Sequence, residues 1–199
     1  MTGDPATDAK LGRYLDLLLE ANERMNLTRI RDRAEAETFH IGDALAVLPF
    51  LPEGEHALAD VGSGGGVPGI PLAIARPDAR VVLIESVGKK ADFLRATKKR
   101  LGLKNLQVYA GRAEQYPDRS GAFDVVTCRA VASMEKLLKW AKPLVKKGGV
   151  LLAMKGPKLE EELAEAAGLI ETQGVTMTTH PYELGGQTGR VIAKVGWPG

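Results

Sequence analysis

Directly after the apolar run His56–Val61 the chain places Gly62, Gly64, Gly65, Gly66 and Gly69, and helix-like sequence resumes at Pro71. A strand that ends in a glycine turn and feeds a helix is a ligand-binding element of doubly wound α/β folds. There the missing side chains permit a tight turn and close approach of a ligand to backbone. The spacing selects among ligands. A dinucleotide frame, G-x-G-x-x-G, fails when started at Gly62, because Val67 occupies the third glycine position. Started at Gly64 it matches literally (Gly64, Gly66, Gly69), but two residues late and with Pro68 inside it. The frame at the strand end is G-x-G-x-G, with Asp60 just upstream. That pattern is typical of S-adenosylmethionine sites, where no pyrophosphate has to be cradled. No Gly-Lys-Ser/Thr follows, so a phosphate-binding P-loop is excluded. A glycine turn without any ligand is the bland alternative.

The rest of the chain agrees with an α/β reading. Short apolar runs at His56–Val61, Arg80–Glu85, Leu106–Ala110, Phe123–Thr127 and Val150–Met154 alternate with helix-like stretches at Pro71–Arg76, Lys89–Leu101, Met134–Ala141 and Leu159–Gly168. Such alternation predicts parallel strands joined by right-handed crossovers. Val175–His180 and Arg190–Val195 are separated only by a turn-rich segment with Gly185, Gly186 and Gly189, too short for a crossover. An antiparallel hairpin is therefore expected at the end. The expected fold is a class I methyltransferase-like, Rossmann-like doubly wound sheet, mostly parallel, closed by a C-terminal antiparallel hairpin. Before it, Leu11, Tyr14, Leu15, Leu18 and Leu19 form one helical stripe, Asn26-Leu27-Thr28 interrupts it, and a second helix is expected from about Ala34 to Pro49. The expected division is an N-terminal helical extension (1–55) and a cofactor-binding domain (56–199), packed as one unit.

Three further strand ends carry candidate site residues. Glu85 closes the second run 21 residues after Gly64, as expected of a carboxylate that takes a ribose diol; an exposed strand-end acid is the alternative. Arg112-Ala113-Glu114 follows the third run, where backbone N–H groups at Ala113 or Glu114 would read an adenine. Arg129 closes the fourth, where doubly wound folds place substrates, and is expected to meet a phosphate, a base or a cofactor carboxylate unless it is a structural ion pair. Cys128 has no partner for nucleophilic work and reads as a buried thiol. His40, His56 and His180 lack ligand spacing, so no metal is expected. No Gly-x-Ser-x-Gly elbow occurs.

Composition bounds these readings. At 199 residues one domain is expected, and a chain of this length buries roughly 70% of its unfolded surface without a staple. No apolar run approaches a membrane span and no leader peptide is visible at the start, so a cytoplasmic monomer without a membrane partner is expected; the lone Cys128 fits a reducing compartment. The net charge of +2 hides its distribution. Residues 1–60 carry 6 basic against 12 acidic side chains, whereas residues 86–112 and 129–158 each carry 8 basic against one acidic. Charge separated in this way points to a polyanion-facing surface, with solvated helix faces as the alternative.

Taken together the motifs resemble the GidB/RsmG family (glucose-inhibited division protein B), small-subunit ribosomal RNA guanine-N7 methyltransferases. The resemblance is carried by Asn26-Leu27-Thr28, by Glu37 with His40 and Asp43, and by Asp60 through Pro71. It continues in Glu85-Ser86 with Lys89-Lys90 and Phe93-Leu94, in Arg112-Ala113-Glu114, in Arg129-Ala130-Val131-Ala132 and in Lys155-Gly156. Val67 departs slightly, since relatives often have Phe or Leu there, and the match weakens after about Val195.

The resemblance implies S-adenosyl-L-methionine as cofactor and a guanine near the decoding site of small-subunit (16S) rRNA, or the subunit itself, as partner. It implies cofactor contacts from Gly62, Gly64, Val67, Glu85, Ser86, Val87, Ala113, Glu114 and Arg129. Lys89, Lys90, Lys98, Lys99, Arg100, Arg129 and Lys155 are the expected RNA contacts. It assigns no role to Asn26, Thr28 or His40. Guanine N7 carries a lone pair and no proton, so no side-chain base is required and none is evident near the motifs; Arg129 is a positioning candidate only. A methyltransferase acting on another RNA, a small molecule or a protein, and a non-catalytic RNA-binding module on the same shell, are the alternatives.

Overall fold

The computed structural model describes residues 2–118, 121–129 and 131–198. Seven strands form one sheet: β1 (His56–Val61), β2 (Ala79–Glu85), β3 (Leu106–Ala110), β4 (Phe123–Arg129), β5 (Val145–Lys155), β6 (Thr176–Leu184) and β7 (Gln187–Gly196). Their order is β3-β2-β1-β4-β5-β7-β6, with the first five parallel and β7 antiparallel to both neighbours. The strand order reverses between β1 and β4, and this switch point opens a crevice beyond the strands' carboxyl ends. The β6–β7 hairpin turns on Gly185 and Gly186, both left-handed (φ 57° and 72°), as a two-residue hairpin with matching twist requires.

The pleat sends alternate residues to two cores. Leu58, Leu83, Val125, Leu152 and Ile192 face α4 (Gly69–Ala75) and α5 (Gly88–Leu101), which are covered in turn by α1 (Pro5–Met25). Ala59, Ile84, Val126, Leu151 and Ala193 face α6 (Met134–Ala141) and α7 (Leu159–Thr172). Leu11, Tyr14, Leu15 and Leu18 are all fully buried, so the N-terminal stripe belongs to the first of these cores. Asn26 ends α1 in a left-handed conformation (φ 51°), and the Asn22 side chain accepts the Thr28 N–H at 2.9 Å. Among the described residues no helix is long and apolar enough to cross a membrane.

Two expected elements differ most; β6, β7 and α7 also run three or four residues beyond their expected bounds, which narrows the hairpin turn to Gly185 and Gly186. The helix expected over Ala34–Pro49 is divided into α2 (Arg33–Ala36), a wide π turn (Glu37–Gly42), α3 (Asp43–Leu45) and a 3-10 turn (Leu48–Phe50). Leu184 of the hairpin rests on the bare face of Gly42 there; a Cβ would stand 2.9 Å from its Cδ1. β5 begins at Val145 rather than Val150, because the register with β4 jumps from Phe123↔Val145 to Val125↔Val150. The inserted Lys146, Lys147, Gly148 and Gly149 carry no apolar pattern, so the sequence hides this irregular start.

Candidate functional site

The turn after β1 is held from three sides. The Gly62 and Ser63 N–H groups donate to the Ile84 carbonyl at 2.8 and 3.3 Å, and the Tyr14 hydroxyl of α1 donates to the Gly65 carbonyl at 2.9 Å. Glu85 closes the third side. One carboxylate oxygen accepts the Gly64 N–H and the other the Val87 N–H, each at 2.8 Å. Glu85 is buried, not an exposed strand-end charge. Each of its oxygens keeps a second lone pair for a ligand hydroxyl. Gly62 is left-handed (φ +71°), and a Cβ there would stand 2.7 Å from Val131. Both the turn and the close packing of Val131 against it therefore need glycine at that position.

Two cavities meet at Gly62 and Val131. The smaller, about 200 Å³, is lined by Gly62, Ile84, Ser86, Ala113, Glu114 and Trp140. Four of the expected cofactor residues thus converge from three strand ends, over largely apolar walls. Trp140 was absent from the expectations. It sits on α6, away from every motif, and only tertiary packing brings it in. Val87 departs from expectation: its side chain is 41% exposed and lines neither cavity, and its N–H serves Glu85.

The larger cavity, about 940 Å³, takes Gly64 and Val67 on one wall and Arg129 on its floor. Its other walls come from the π-turn segment and from the β7 end of the hairpin. Asp43, with its side chain 2% exposed, joins them. One oxygen accepts from the Tyr182 hydroxyl at 2.7 Å and from an Arg190 Nη at 2.8 Å; the other accepts from Arg129 at 3.1 Å. Arg129 also donates to the Phe39 carbonyl at 3.0 Å. So Arg129 is the ion-pair partner of Asp43 and a cavity residue at once.

His40 belongs here too, which corrects the expectation of no ionisable base near the motifs. Its Nδ1 lies 3.4 Å from both Arg129 Nη atoms and its Nε2 2.9 Å from Thr28 Oγ1. Arginine only donates, so Nδ1 is the acceptor and the proton sits on Nε2, facing Thr28. Burial and the Arg129 charge push the imidazole down to about 4. It is therefore neutral at physiological pH. Thr28 and His40 thereby gain a role: they tie the interrupted helix to the strand-end arginine.

Two more buried groups flank the site. Asp60 is fully buried beneath the turn; one oxygen accepts the Gly69 N–H at 3.1 Å and, among the described residues, the other has no hydrogen-bond partner. Burial raises its carboxyl to about 7. Burial likewise pushes the Cys128 thiol up to about 12, which leaves it inert as a nucleophile.

The expected RNA contacts separate. Lys89 and Lys90 open α5 at the crevice edge, whereas Lys98, Lys99 and Arg100 close it at the opposite edge of the sheet, about 15 Å further along the helix. Arg100 pairs there with Glu20 at 3.5 Å. Lys155 is a correction. Its side chain is 7% exposed and its ammonium is spent on Glu162 and the Ala132 carbonyl, so it is not offered to a phosphate. Glu162 also accepts the Met134 N–H at 2.8 Å, which fixes the stretch after β4. Ala130, part of the Arg-Ala-Val-Ala motif, lies outside the described residues. Among the described residues no group of His, Cys, Asp and Glu is placed to hold a metal.

Known proteins resemble this chain in sequence and in fold. The model of the family described as rRNA small subunit methyltransferase G (GidB) matches residues 7–188. The chain is 50% identical over 177 residues to the ribosomal RNA small subunit methyltransferase G of Sorangium cellulosum (strain So ce56), covering 87% of this chain and 74% of that one. It is 45% identical over 178 residues to the protein of the same name from Stenotrophomonas maltophilia (strain K279a), covering 89% and 82%. Among solved structures it resembles a SAM-dependent methyltransferase from Aquifex aeolicus, with a TM-score of 0.64 at 19% identity over 85% of this chain and 96% of that one. An O-methyltransferase from Bacillus cereus, solved in complex with SAH, gives 0.64 at 20% identity over 92% and 90%. At these identities the two structures share the fold.

Proposed function

The chain belongs to the rRNA small subunit methyltransferase G family, and from that premise we propose that it uses S-adenosylmethionine to methylate N7 of a guanine in small-subunit rRNA, near the decoding site. The observation that carries the reading is the pair of cavities joined at Gly62 and Val131. One is small and largely apolar, bounded by Ala113, Glu114 and Trp140; the other is several times larger and of mixed polarity, bounded by Arg129 and the hairpin.

The residues present fit the cofactor. A Cβ at Gly62 would collide with Val131 where the two cavities join, so the bare backbone faces that junction, and Glu85 keeps acceptor capacity beside it. In this reading Ala113, Glu114 and Ser86 hold the adenine side, Glu85 the ribose, and Gly62, Gly64 and Val67 the chain that leads to the larger cavity. When bound, S-adenosylmethionine supplies a methyl group made electrophilic by its sulfonium. The chain's own residues then have only to position the base. Guanine N7 presents a lone pair and no proton, and neutral His40 and inert Cys128 have none to remove. Orientation of this kind can supply roughly 7–11 kcal/mol of the barrier. The π turn and the hairpin wall the larger cavity, and Lys89 and Lys90, which open α5 at the carboxyl ends of the strands, meet the RNA strand's phosphates.

The test is methyl transfer from labelled S-adenosylmethionine to small subunits or rRNA from a strain that lacks the enzyme, followed by nucleoside mass analysis. One 7-methylguanosine per subunit, in a decoding-region fragment, is the expected result. Label in an exocyclic amine, a ribose or a protein, or no label in RNA, would overturn it.

A further inference from the structure

We propose that Arg190 and Arg129, bridged by Asp43, form an anion site on the target side of the cleft that holds a backbone phosphodiester of the RNA strand carrying the target base. The inference rests on the function proposed above and adds Arg190, which no sequence motif picked out.

Charge is the first argument. Asp43 is one carboxylate shared by two guanidiniums, so the cluster keeps one uncompensated positive charge. The remaining ionisable groups that line the cavity do not remove it. Lys155 is paired with Glu162, Lys158 and Glu35 offset each other, Tyr182 is held protonated by burial and by Asp43, and His40 is neutral.

Unused donor capacity is the second. Among the described residues, Arg190 uses a single Nη, on Asp43; its Nε is buried and has no partner. A guanidinium carries five donors in a rigid fork that matches a phosphate's oxygens. An arginine with most of that fork idle is under-satisfied, and an anion reached by a small rotation of its head would satisfy it. The side chain is 27% exposed, which leaves it open to the cavity, and its guanidinium carbon lies 5.1 Å from the Phe39 ring centre, a cation–π contact that helps to hold it there.

Position is the third, and it selects the anion's source. Arg190 is on β7, three strands from β1, or about 14 Å across the sheet. The cofactor residues lie on the ends of β1, β2 and β3, on the other side of the switch point. A phosphodiester of the target strand therefore suits Arg190 better than the cofactor's carboxylate does.

The experiment measures affinity for a small-subunit rRNA fragment over a salt series, for the wild type, Arg190→Gln and Arg190→Lys. Calorimetry with S-adenosylhomocysteine and the methyl-transfer assay run in parallel. Arg190→Gln is expected to weaken RNA binding about tenfold at low salt and to lower the log–log salt slope by about 0.7, as the release of one single-strand phosphate does. Arg190→Lys is expected to keep the slope, and S-adenosylhomocysteine affinity to stay within about twofold. Arg190→Gln with an unchanged slope overturns the proposal and leaves Arg190 as a brace for Asp43. A loss of S-adenosylhomocysteine affinity with an unchanged RNA slope overturns it in favour of the cofactor carboxylate. Should Arg190→Gln fail to fold, hydrogen exchange on the wild type decides. RNA, and not S-adenosylhomocysteine alone, should slow exchange at residues 187–191, and no RNA-dependent protection overturns the proposal. Methyl transfer to rRNA by the wild type separates the two levels: transfer with no Arg190 effect sinks this inference alone, whereas no transfer sinks the function and this inference with it.

Discussion

Two buried carboxylates, Asp60 beneath the glycine turn and Asp43 in the wall of the larger cavity, support opposite halves of the crevice and are treated in opposite ways. Asp60, under the glycine turn, has one backbone N–H on one oxygen and, among the described residues, no hydrogen-bond partner on the other. Asp43, under the hairpin wall, has two arginines and a tyrosine hydroxyl. The cofactor half is therefore built on backbone donors, which satisfy Glu85 but leave Asp60 half-satisfied. The target half is built from side-chain charge and satisfies its acid fully. The two halves should fail differently when perturbed.

The largest expected effect is on Asp60. Its folded carboxyl is raised to about 7 from an ordinary 3.8. A raised folded value means that the contribution to stability is complete below about pH 4 and is lost as pH rises through 7. Asp60→Asn keeps an acceptor for the Gly69 N–H and cannot ionise. Its stability relative to wild type should rise between pH 4 and 8, by up to about 4 kcal/mol for a shift of this size. Urea melts across that range check it; a difference that stays flat with pH would mean that Asp60 is solvated in solution. Asp43→Ala comes next. It leaves two guanidiniums facing each other without their carboxylate and should destabilise the fold by about 3 kcal/mol, the lower end for a broken buried pair because both arginines are a quarter exposed. Cofactor affinity should hardly change. An equal loss of cofactor affinity would show that the two halves are one unit.

Glu85→Ala is the matching lesion on the cofactor side. It frees the Gly64 and Val87 N–H groups and removes the acceptor proposed for the ribose. Cofactor affinity should fall by about 1.5–3 kcal/mol, with Glu85→Asp milder. An alanine variant that binds as the wild type does would reduce Glu85 to a clasp on the turn. Smaller still is the contrast along α5. Lys89→Gln with Lys90→Gln should lower the RNA salt slope by about 0.7 for each phosphate released. The triple change at Lys98, Lys99 and Arg100 should lower it less, because those residues close the helix at the far edge. A larger effect from the triple change would place the RNA around that edge instead.

The same division explains what the sequence revealed. The cofactor half is legible because its parts are local: a strand end, a glycine frame, an acid 21 residues on, and a tripeptide after the next strand. β1, β3 and α6 even keep their expected bounds, since alternation and helical period are short-range signals. The target half joins Thr28, His40, Asp43, Arg129, Tyr182 and Arg190, spread over most of the chain. Single charged residues on helices and hairpins have no period, so nothing marks Asp43 as the partner of Arg190. Lys155 misled for the same reason: a lysine at a strand end reads as exposed until α7 brings Glu162 against it. Tyr14 reads as one more member of an apolar stripe, and its hydroxyl bond to Gly65 appears only when the helix lies over the turn.

The smallest expected effect is no effect, and it tests the target atom. His40 stands beside Arg129 in the larger cavity, so a nucleophile that must lose a proton would find its base there. Burial and Arg129 hold that imidazole near 4, however, so it stays neutral from pH 7.5 to 9. The Cys128 thiol, near 12, stays protonated, and Asp60, near 7, is already largely ionised over that interval. No group in the crevice with a resolved shift has its midpoint there, and guanine N7 has no proton to give up. With cofactor and RNA saturating, the single-turnover rate of methyl transfer should therefore be level from pH 7.5 to 9. His40→Asn should alter stability or RNA affinity and leave that level profile in place. A rate that climbs about tenfold per pH unit would require deprotonation of an amine or hydroxyl before attack. N7 would then be the wrong atom, even with rRNA as the right substrate.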